Sequence, residues 1–161
     1  MKKKQKETPA LVYRPMHLSE FELWEEISSN DYIDDLMINH LYSREKAKVE
    51  SLKSLKKTLP LGINTRKNYF RTYECNGQAA GFLWYVLEDN SAFLSDIMLI
   101  PEFQGKGMGR CLMREFLNEL TSQGVHEVEL RVSPDNQRAL NLYSDFGFRV
   151  TGFDMSLLLK L

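Results

Sequence analysis

The pattern of apolar and polar positions predicts a helical segment near the start of the chain, after one short strand at residues 11–14. Apolar residues return at helical spacing after Ser19, which forms a capping-box pattern with Glu22. A second run at the same spacing follows Ser43 and ends before Pro60. The first third of the chain therefore reads as a strand followed by two helices.

The middle of the chain predicts three consecutive strands. Residues 69–75 alternate between apolar and polar side chains, and residues 79–87 and 92–100 are nearly apolar runs. Between the first two runs lies Asn76-Gly77, a pair typical of type I′ hairpin turns. Because every connection is short, we expect these strands to be antiparallel neighbours.

The last third predicts a helix beginning near Cys111, a strand at 127–132, a helix at about 136–146 and closing strands at 148–153 and 154–161. A strand, a helix and a strand in succession favour a parallel, right-handed crossover. The expected fold class is therefore α/β, with a mixed, mostly antiparallel sheet of six to seven strands flanked by about four helices.

Composition adds limits on the class of protein. The 161 residues are the size of one domain, expected at 9–161 after a flexible basic segment at 1–8. A net charge of -1 gives no general attraction to nucleic acid or anionic lipid, and no apolar run reaches the ~18 residues of a membrane span. The two cysteines, Cys75 and Cys111, lack metal or redox spacing, so we expect a cytoplasmic protein without a metal site.

A glycine-rich stretch, residues 104–109, lies between an apolar strand and an amphipathic helix. Its backbone amides and the positive end of the following helix predict an anion site, with Lys106 and Arg110 adding positive charge. The stretch matches neither the Walker loop nor the complete dinucleotide fingerprint. Glu129, about twenty residues beyond the loop, keeps a small dinucleotide-binding oxidoreductase open as an alternative.

Two motifs together resemble a known family. The first is Gln104-x-x-Gly107-x-Gly109, and the second, from Asn136 to Phe148, reads N-x-x-A-x-x-L-Y-x-x-x-G-F. Both resemble motifs of the GNAT superfamily of N-acyltransferases, and the resemblance covers about residues 80–153. It implies a GNAT-like fold and an acetyl-CoA-dependent N-acetyltransferase that transfers the acetyl group directly to a primary amine within a ternary complex.

The resemblance also implies roles for particular residues. In the family, the exposed backbone of the fourth strand pairs with the pantetheine arm at a bulge, the glycine loop binds the pyrophosphate, and a tyrosine protonates the leaving thiolate. That tyrosine corresponds to Tyr143, which shares a helix face with Asn136. The cofactor-binding residues implied are Ile97, Met98, Leu99, Gln104, Gly105, Lys106, Gly107, Met108, Gly109, Arg110 and Asn136.

An amine must lose a proton before it attacks, so the reaction also needs a base. Asp96, just upstream of the expected bulge, is the first candidate; Glu25, Glu26, His17 and His40 are weaker ones. Between Arg14 and Arg44 every charged side chain is acidic, which is typical of a solvated helix face but would also attract a cationic amine.

The acceptor and the assembly remain open at this stage. A polyamine, an antibiotic, an amino acid or a protein N-terminus would each provide the amine. A binding protein of the same fold, such as an acyl-CoA sensor or interaction module, is the alternative from another class. The apolar run Leu157-Leu158-Leu159 serves equally as an internal strand or as the edge of a homodimer.

Overall fold

The structure, a computed structural model, describes residues 10–159. The segment predicted to be flexible, residues 1–8, lies outside the described residues. The described strands are β1 (Leu11–Pro15), β2 (Asn68–Cys75), β3 (Gln78–Glu88), β4 (Ser91–Leu99) and β5 (Glu127–Leu130), and the α-helices are α1 (Leu18–Asn39), α2 (Arg44–Thr58), α3 (Met108–Ser122) and α4 (Gln137–Asp145).

The chain divides into two compact units. The sheet unit contains the residues up to Trp24 together with Leu61–Leu130, and the α4 unit contains Glu25–Pro60 and the residues from Arg131 onward. Helix α1 contributes its first turns to the sheet unit and the remainder to the α4 unit. That residues 9–161 make one domain stays a prediction.

The sheet has the order β1-β2-β3-β4-β5. The first four strands are antiparallel neighbours, and β5 lies parallel to β4, which confirms the mixed, mostly antiparallel sheet. Asn76 and Gly77 both adopt positive φ, 52° and 79°, as the predicted type I′ turn requires.

The prediction of six to seven strands is too high, because the described chain forms five. Residues 148–159 alternate in character as a strand would, but their backbone joins no described ladder. The expected closing strands at 148–153 and 154–161 are therefore wrong within the described residues. Alternation specifies which way side chains point, and a strand also needs a paired backbone.

One face of the sheet packs against the first turns of α1 through aromatic side chains. Trp24 is completely buried, and its ring centroid lies 5.0 Å from that of Phe70 and 5.5 Å from that of Trp84. Phe21 completes the cluster, 5.1 Å from Trp24. Aromatic rings of this size bury much apolar area at edge-to-face distances, so this cluster fixes the start of α1 on the sheet.

The start of α1 differs from the predicted capping box. The helix begins at Leu18, and the Glu20 carboxylate accepts a hydrogen bond from the His17 amide at 2.9 Å. Glu20 also binds the Arg14 guanidinium through both oxygens and accepts from the Thr72 hydroxyl at 2.8 Å. The Arg14 hydrogen bonds, helped by those from His17 and Thr72, lower the pKa of Glu20 from 4.5 to about 2.

The opposite face of the sheet packs against α3. Phe116 lies 5.2 Å from Tyr85, and the Glu119 carboxylate accepts from the Tyr13 hydroxyl at 2.6 Å and from Arg71 Nε at 2.9 Å. Burial raises the pKa of Tyr85 to about 12 and raises that of Tyr13 further. Helix α3 is therefore held to β1 and β2 by a partly buried ionic network as well as by apolar contacts.

The α4 unit has its own local order. Ser43 caps α2 by accepting from the Lys46 amide at 3.2 Å, and the helix ends at Thr58, ahead of Pro60, as predicted. Asn39 donates to Asp35 at 2.8 Å and to Asp135 at 2.9 Å. Within residues 10–159, no helix is both long and apolar enough to cross a membrane.

Candidate functional site

Strand β4 carries a bulge in the middle of the candidate site. Trp84 of β3 is paired with Asp96 and Tyr85 with Leu94, so Ser95 is an extra residue in β4. Asp96 therefore follows the bulge, and the expectation that it lies upstream of the bulge is corrected.

Beyond the bulge, β4 has one open edge. Its ladder with β5 covers only Ser91–Leu94, while its ladder with β3 continues to Leu99. Among residues 10–159, no strand pairs with the other edge of β4 from Ser95 to Leu99. Unpaired strand backbone of this kind pairs readily with an extended ligand. The predicted residues Ile97, Met98 and Leu99 all lie on this edge.

Gly81 permits the close approach of β3 and β4 here. A Cβ atom at Gly81 would lie 2.6 Å from the carbonyl oxygen of Met98 and 2.8 Å from the Leu99 side chain. Any larger residue would displace the backbone of β4 where its edge is open. An isolated glycine inside a strand pattern indicates that another backbone approaches closely, and Gly81 is such a glycine in this sequence.

The glycine loop follows the end of β4 directly. Gln104 donates from Nε2 to the Leu99 carbonyl at 3.0 Å, which ties the loop to the strand. Gly105 and Gly107 adopt φ of 74° and 77°, a region that favours glycine. Gly107 is the N-cap of α3, so the helix begins at Met108, three residues before the predicted start.

The loop has the features of an anion site. Within the described chain, the amides of Gly105 through Gly109 donate to no backbone carbonyl. They lie at the positive end of the 15-residue helix α3, where Lys106 and Arg110 are exposed. Apart from each glycine and its two chain neighbours, no heavy atom lies within 4 Å of a Cβ built at Gly105 or Gly107, so a ligand can approach both closely. These residues therefore fit a pyrophosphate, and the open β4 edge fits an extended pantetheine arm.

Asp96 is held in one orientation by a residue far away in the sequence. Trp24 donates from Nε1 to Asp96 Oδ2 at 3.0 Å, and Trp24 is completely buried. The half-buried carboxylate thus projects from β4 toward the aromatic face of the sheet. Sequence reasoning missed Trp24, although a buried tryptophan N–H normally needs an acceptor.

Helix α4 carries the remaining two predicted residues. Asn136 is its N-cap and accepts from the Ala139 amide at 3.1 Å. Tyr143 is buried, with its ring 5.7 Å from that of Phe148 in an edge-on arrangement. Gly147 ends the helix with φ of 92°. Asp96, Ile97–Leu99 and Gln104–Arg110 thus lie in the sheet unit, whereas Asn136 and Tyr143 lie in the α4 unit.

The acidic stretch of α1 is partly committed to structural contacts. Glu20 is bound by Arg14, and Asp35 accepts from the hydroxyl of Ser133 and the amide of Asn39. These two carboxylates stabilise local structure. Burial and the neighbouring Asp34 raise the pKa of Asp31.

Comparison with known proteins gives one consistent result. A model of the Acetyltransferase (GNAT) family matches residues 29–148. The uncharacterized N-acetyltransferase YycN of Bacillus subtilis is 25% identical over 151 residues, which cover 91% of this chain and 97% of YycN. The crystal structure of YycN superposes with a TM-score of 0.87, covering 94% of this chain and 100% of that one.

Two further likenesses are more partial. The [ribosomal protein bS18]-alanine N-acetyltransferase of Escherichia coli is 34% identical over 73 residues, 45% of this chain and 49% of that enzyme. The PaiA N-acetyltransferase of Thermoplasma acidophilum, solved with coenzyme A, is 21% identical with a TM-score of 0.70, covering 90% and 93% of the two chains, and shows the shared fold.

These matches define the class of protein. The chain belongs to the GNAT family of acetyltransferases. Within that family it is an enzyme of the N-acetyltransferase type.

Proposed function

We propose that this protein transfers an acetyl group from acetyl-CoA directly to a primary amine while both substrates are bound in a ternary complex. The observation that carries the proposal is the open edge of β4 beside a glycine loop. Among the described residues, the amides of Gly105 to Gly109 donate to no backbone carbonyl. Acetyl-CoA, when bound, supplies an acyl carbon activated as a thioester.

The cofactor-binding role falls to two stretches of the sheet unit. The amides from Gly105 to Gly109 would hold the pyrophosphate, with Lys106 and Arg110 adding positive charge at its rim. The backbone of Ile97–Leu99 would pair with the pantetheine arm. Asn136 would contact the coenzyme through its amide nitrogen, because its oxygen caps α4.

Two side chains are assigned to proton transfer. Asp96 would accept the proton that the acceptor ammonium must lose, with its carboxylate oriented by Trp24. The neutral amine nitrogen then forms a bond to the acyl carbon, the carbon–sulfur bond breaks, and Tyr143 donates its proton to the departing sulfur. The new amide nitrogen then loses its extra proton, which restores the Tyr143 hydroxyl. The family motif that contains Tyr143 supports this role, and its burial keeps its ring in one position.

The acceptor that we favour is a cationic amine. Helix α1 has no lysine or arginine, and five acidic residues remain after the two structurally committed carboxylates are set aside: Glu22, Glu25, Glu26, Asp31 and Asp34. A negative potential along this helix would concentrate ammonium-bearing acceptors, such as a polyamine, an aminoglycoside or a peptide N-terminus.

Initial-rate kinetics test direct transfer. With both acetyl-CoA and the amine varied, a ternary complex gives intersecting double-reciprocal lines. An acetylated enzyme gives parallel lines, and Cys111, at the start of α3, is the thiol that would carry the group. Parallel lines together with an acetyl adduct on Cys111 in intact-protein mass spectrometry would overturn the direct mechanism.

A further inference from the structure

The bulge at Ser95 places Phe93 on the same face of the sheet as Asp96. Trp84 and Val86 are two residues apart in β3, so their side chains share a face. Trp84 pairs with Asp96. Val86 pairs with Phe93, and residues paired across two strands lie on the same face. Without the extra residue, positions 93 and 96 would lie on opposite faces, because side chains alternate along a regular strand.

Phe93 is an exposed aromatic residue in an interior strand of the sheet. It is 41% exposed, whereas Ala92 and Leu94 on either side of it are each 3% exposed. Strand β4 lies between β3 and β5, so Phe93 has a strand on both sides. A large apolar side chain in this position is normally covered, since contact with water forfeits its hydrophobic stabilisation. The ring therefore provides an apolar surface next to the proposed base.

A carboxylate adjoins Phe93 on the side away from β3. Glu129 of β5 pairs with Phe93 in the parallel ladder, so the two side chains share a face. Glu129 is exposed, and no ion pair among residues 10–159 includes it. Arg131, two residues further along, donates to Asp154 at 2.8 Å instead. An unpaired carboxylate beside an aromatic ring attracts a cation through its charge and through the negative face of the ring.

The spacing of Asp96 and Glu129 suits a short diamine. Two residues along a strand span about 7 Å and neighbouring strands lie about 4.8 Å apart, so the two backbone positions are separated by about 8 Å. With carbon–carbon bonds of about 1.5 Å, an extended chain of about four to five methylene groups holds two amine nitrogens at nearly that distance. Phe93 lies between the two carboxylates, where the methylene groups would cross.

We propose that Phe93 and Glu129 form an acceptor subsite and that the acceptor is an unbranched α,ω-diamine, an inference that rests on the proposed acetyl transfer. The reacting amine lies at Asp96, where it loses its proton and receives the acetyl group. The methylene chain packs on Phe93, and the second amine keeps its proton and binds Glu129. A polyhydroxylated amine fits less well, because hydroxyl groups against the ring would lose hydrogen bonds to water.

Steady-state kinetics with two matched acceptors test the subsite. Butylamine and 1,4-diaminobutane share the same carbon chain, and only the diamine has a second ammonium. Glu129→Gln should raise the KM for the diamine about two- to fivefold, the usual strength of an exposed ion pair, and leave the KM for butylamine unchanged. Phe93→Ser should raise the KM for both amines by about tenfold, because the methylene groups lose their apolar surface. The kcat values should change little.

Each variant has a matched control. Glu127→Gln removes an exposed carboxylate from the same strand and face as Glu129, but Glu127 pairs with Ser91, one row further from the base. It should leave the KM for the diamine unchanged. Val12→Ser removes an exposed apolar residue from the outer strand β1 and should also have no effect. Phe93→Leu keeps an apolar surface and should retain most of the wild-type affinity, and circular dichroism checks that every variant is folded.

The outcomes separate the subsite from the proposed transfer. If the wild-type protein releases thiol from acetyl-CoA with no amine, the transfer fails and the subsite fails with it. If other amines are acetylated but the diamine is not, or if Glu129→Gln leaves the KM for the diamine unchanged or raises both KM values equally, the transfer stands and the subsite is overturned. A KM for the diamine that is unchanged in Phe93→Ser, or raised equally in Glu127→Gln and Glu129→Gln, also overturns the subsite.

Discussion

The indole N–H of Trp24 donates to the carboxylate of Asp96 across 72 residues of sequence, at a distance of 3.0 Å. This hydrogen bond connects the buried start of α1 to the residue directly after the β4 bulge. Because three aromatic rings surround Trp24, its indole has little freedom to move away. The orientation of the proposed base is thus set by the core of the sheet unit.

Replacing Trp24 by Phe should lower kcat by about tenfold, because the carboxylate loses a charge-assisted hydrogen bond. The affinity for acetyl-CoA should stay the same in calorimetry. Asp96→Asn removes the proposed base itself and should lower kcat by about 10²- to 10⁴-fold, which is the upper limit for the effect of replacing Trp24.

Trp84→Phe is the matched control for this prediction. It removes an indole from the same aromatic cluster, but the Trp84 N–H donates to Asn68 at 2.7 Å and not to Asp96. Equal losses of kcat in the two variants would show that Trp24 acts only through packing.

Tyr143→Phe should reduce turnover by about one to three orders of magnitude, with little change in acetyl-CoA affinity, because only the proton donor to the leaving sulfur is removed. The ring and its contact with Phe148 remain in this variant. Tyr32→Phe, at an exposed position of α1, should retain full activity. Undiminished turnover in Tyr143→Phe would remove this residue from the mechanism.

Gly107→Val should abolish coenzyme A binding, because the side chain would occupy the space in which the pyrophosphate meets the loop amides. Gly77→Val provides the control for backbone strain, since its φ of 79° nearly equals the 77° of Gly107 while it lies in the β2–β3 hairpin. Both variants should lose stability, but only Gly107→Val should fail in calorimetry with coenzyme A. Normal affinity in Gly107→Val would refute the proposed cradle.

Glu20→Gln should reduce the free energy of unfolding at neutral pH by about 1 to 3 kcal/mol, the usual value of hydrogen bonds to a charged group. The pKa of Glu20 in the folded protein, about 2, lies below its usual 4.5, so its contribution is present above about pH 4.5 and is lost as the pH falls toward 2. In urea titrations, the free energies of unfolding of the wild type and of Glu20→Gln should therefore converge as the pH falls below 4.5. The control is Glu22→Gln, at an exposed position of the same helix, for which the free energy of unfolding should differ little from wild type at every pH. If Glu20→Gln were less stable than wild type by the same amount at every pH, the ionised pair of Glu20 with Arg14 would be contradicted.

Features that depend on a few neighbouring residues could be predicted from the sequence. The Ser43 cap and the Asn76-Gly77 turn formed as expected, because their hydrogen bonds and φ angles are local. The glycine loop was found for the same reason. The fold class followed from the order of these elements and from the family motifs.

Features that depend on distant partners could not be predicted. The resemblance implied a bulge in the fourth strand, but its position at Ser95 is defined by the pairing with β3, and no residue type marks that position in the sequence. The Trp24–Asp96 hydrogen bond joins two elements whose approach only the tertiary structure determines. The closing strands failed because residues 148–159 have the right alternation without a partner in the described chain.

The central claim, acetyl transfer from acetyl-CoA to an amine, is tested most directly by measuring thiol release from acetyl-CoA. Polyamines, aminoglycosides, amino acids and short peptides would be tested one at a time against a control without acceptor. We predict that one cationic class stimulates release and gains the mass of an acetyl group, and that Asp96→Asn and Tyr143→Phe lose this activity while still binding coenzyme A. Tight binding of acetyl-CoA with no acceptor-dependent release across the whole panel would contradict the proposed transfer and favour an acyl-CoA sensor.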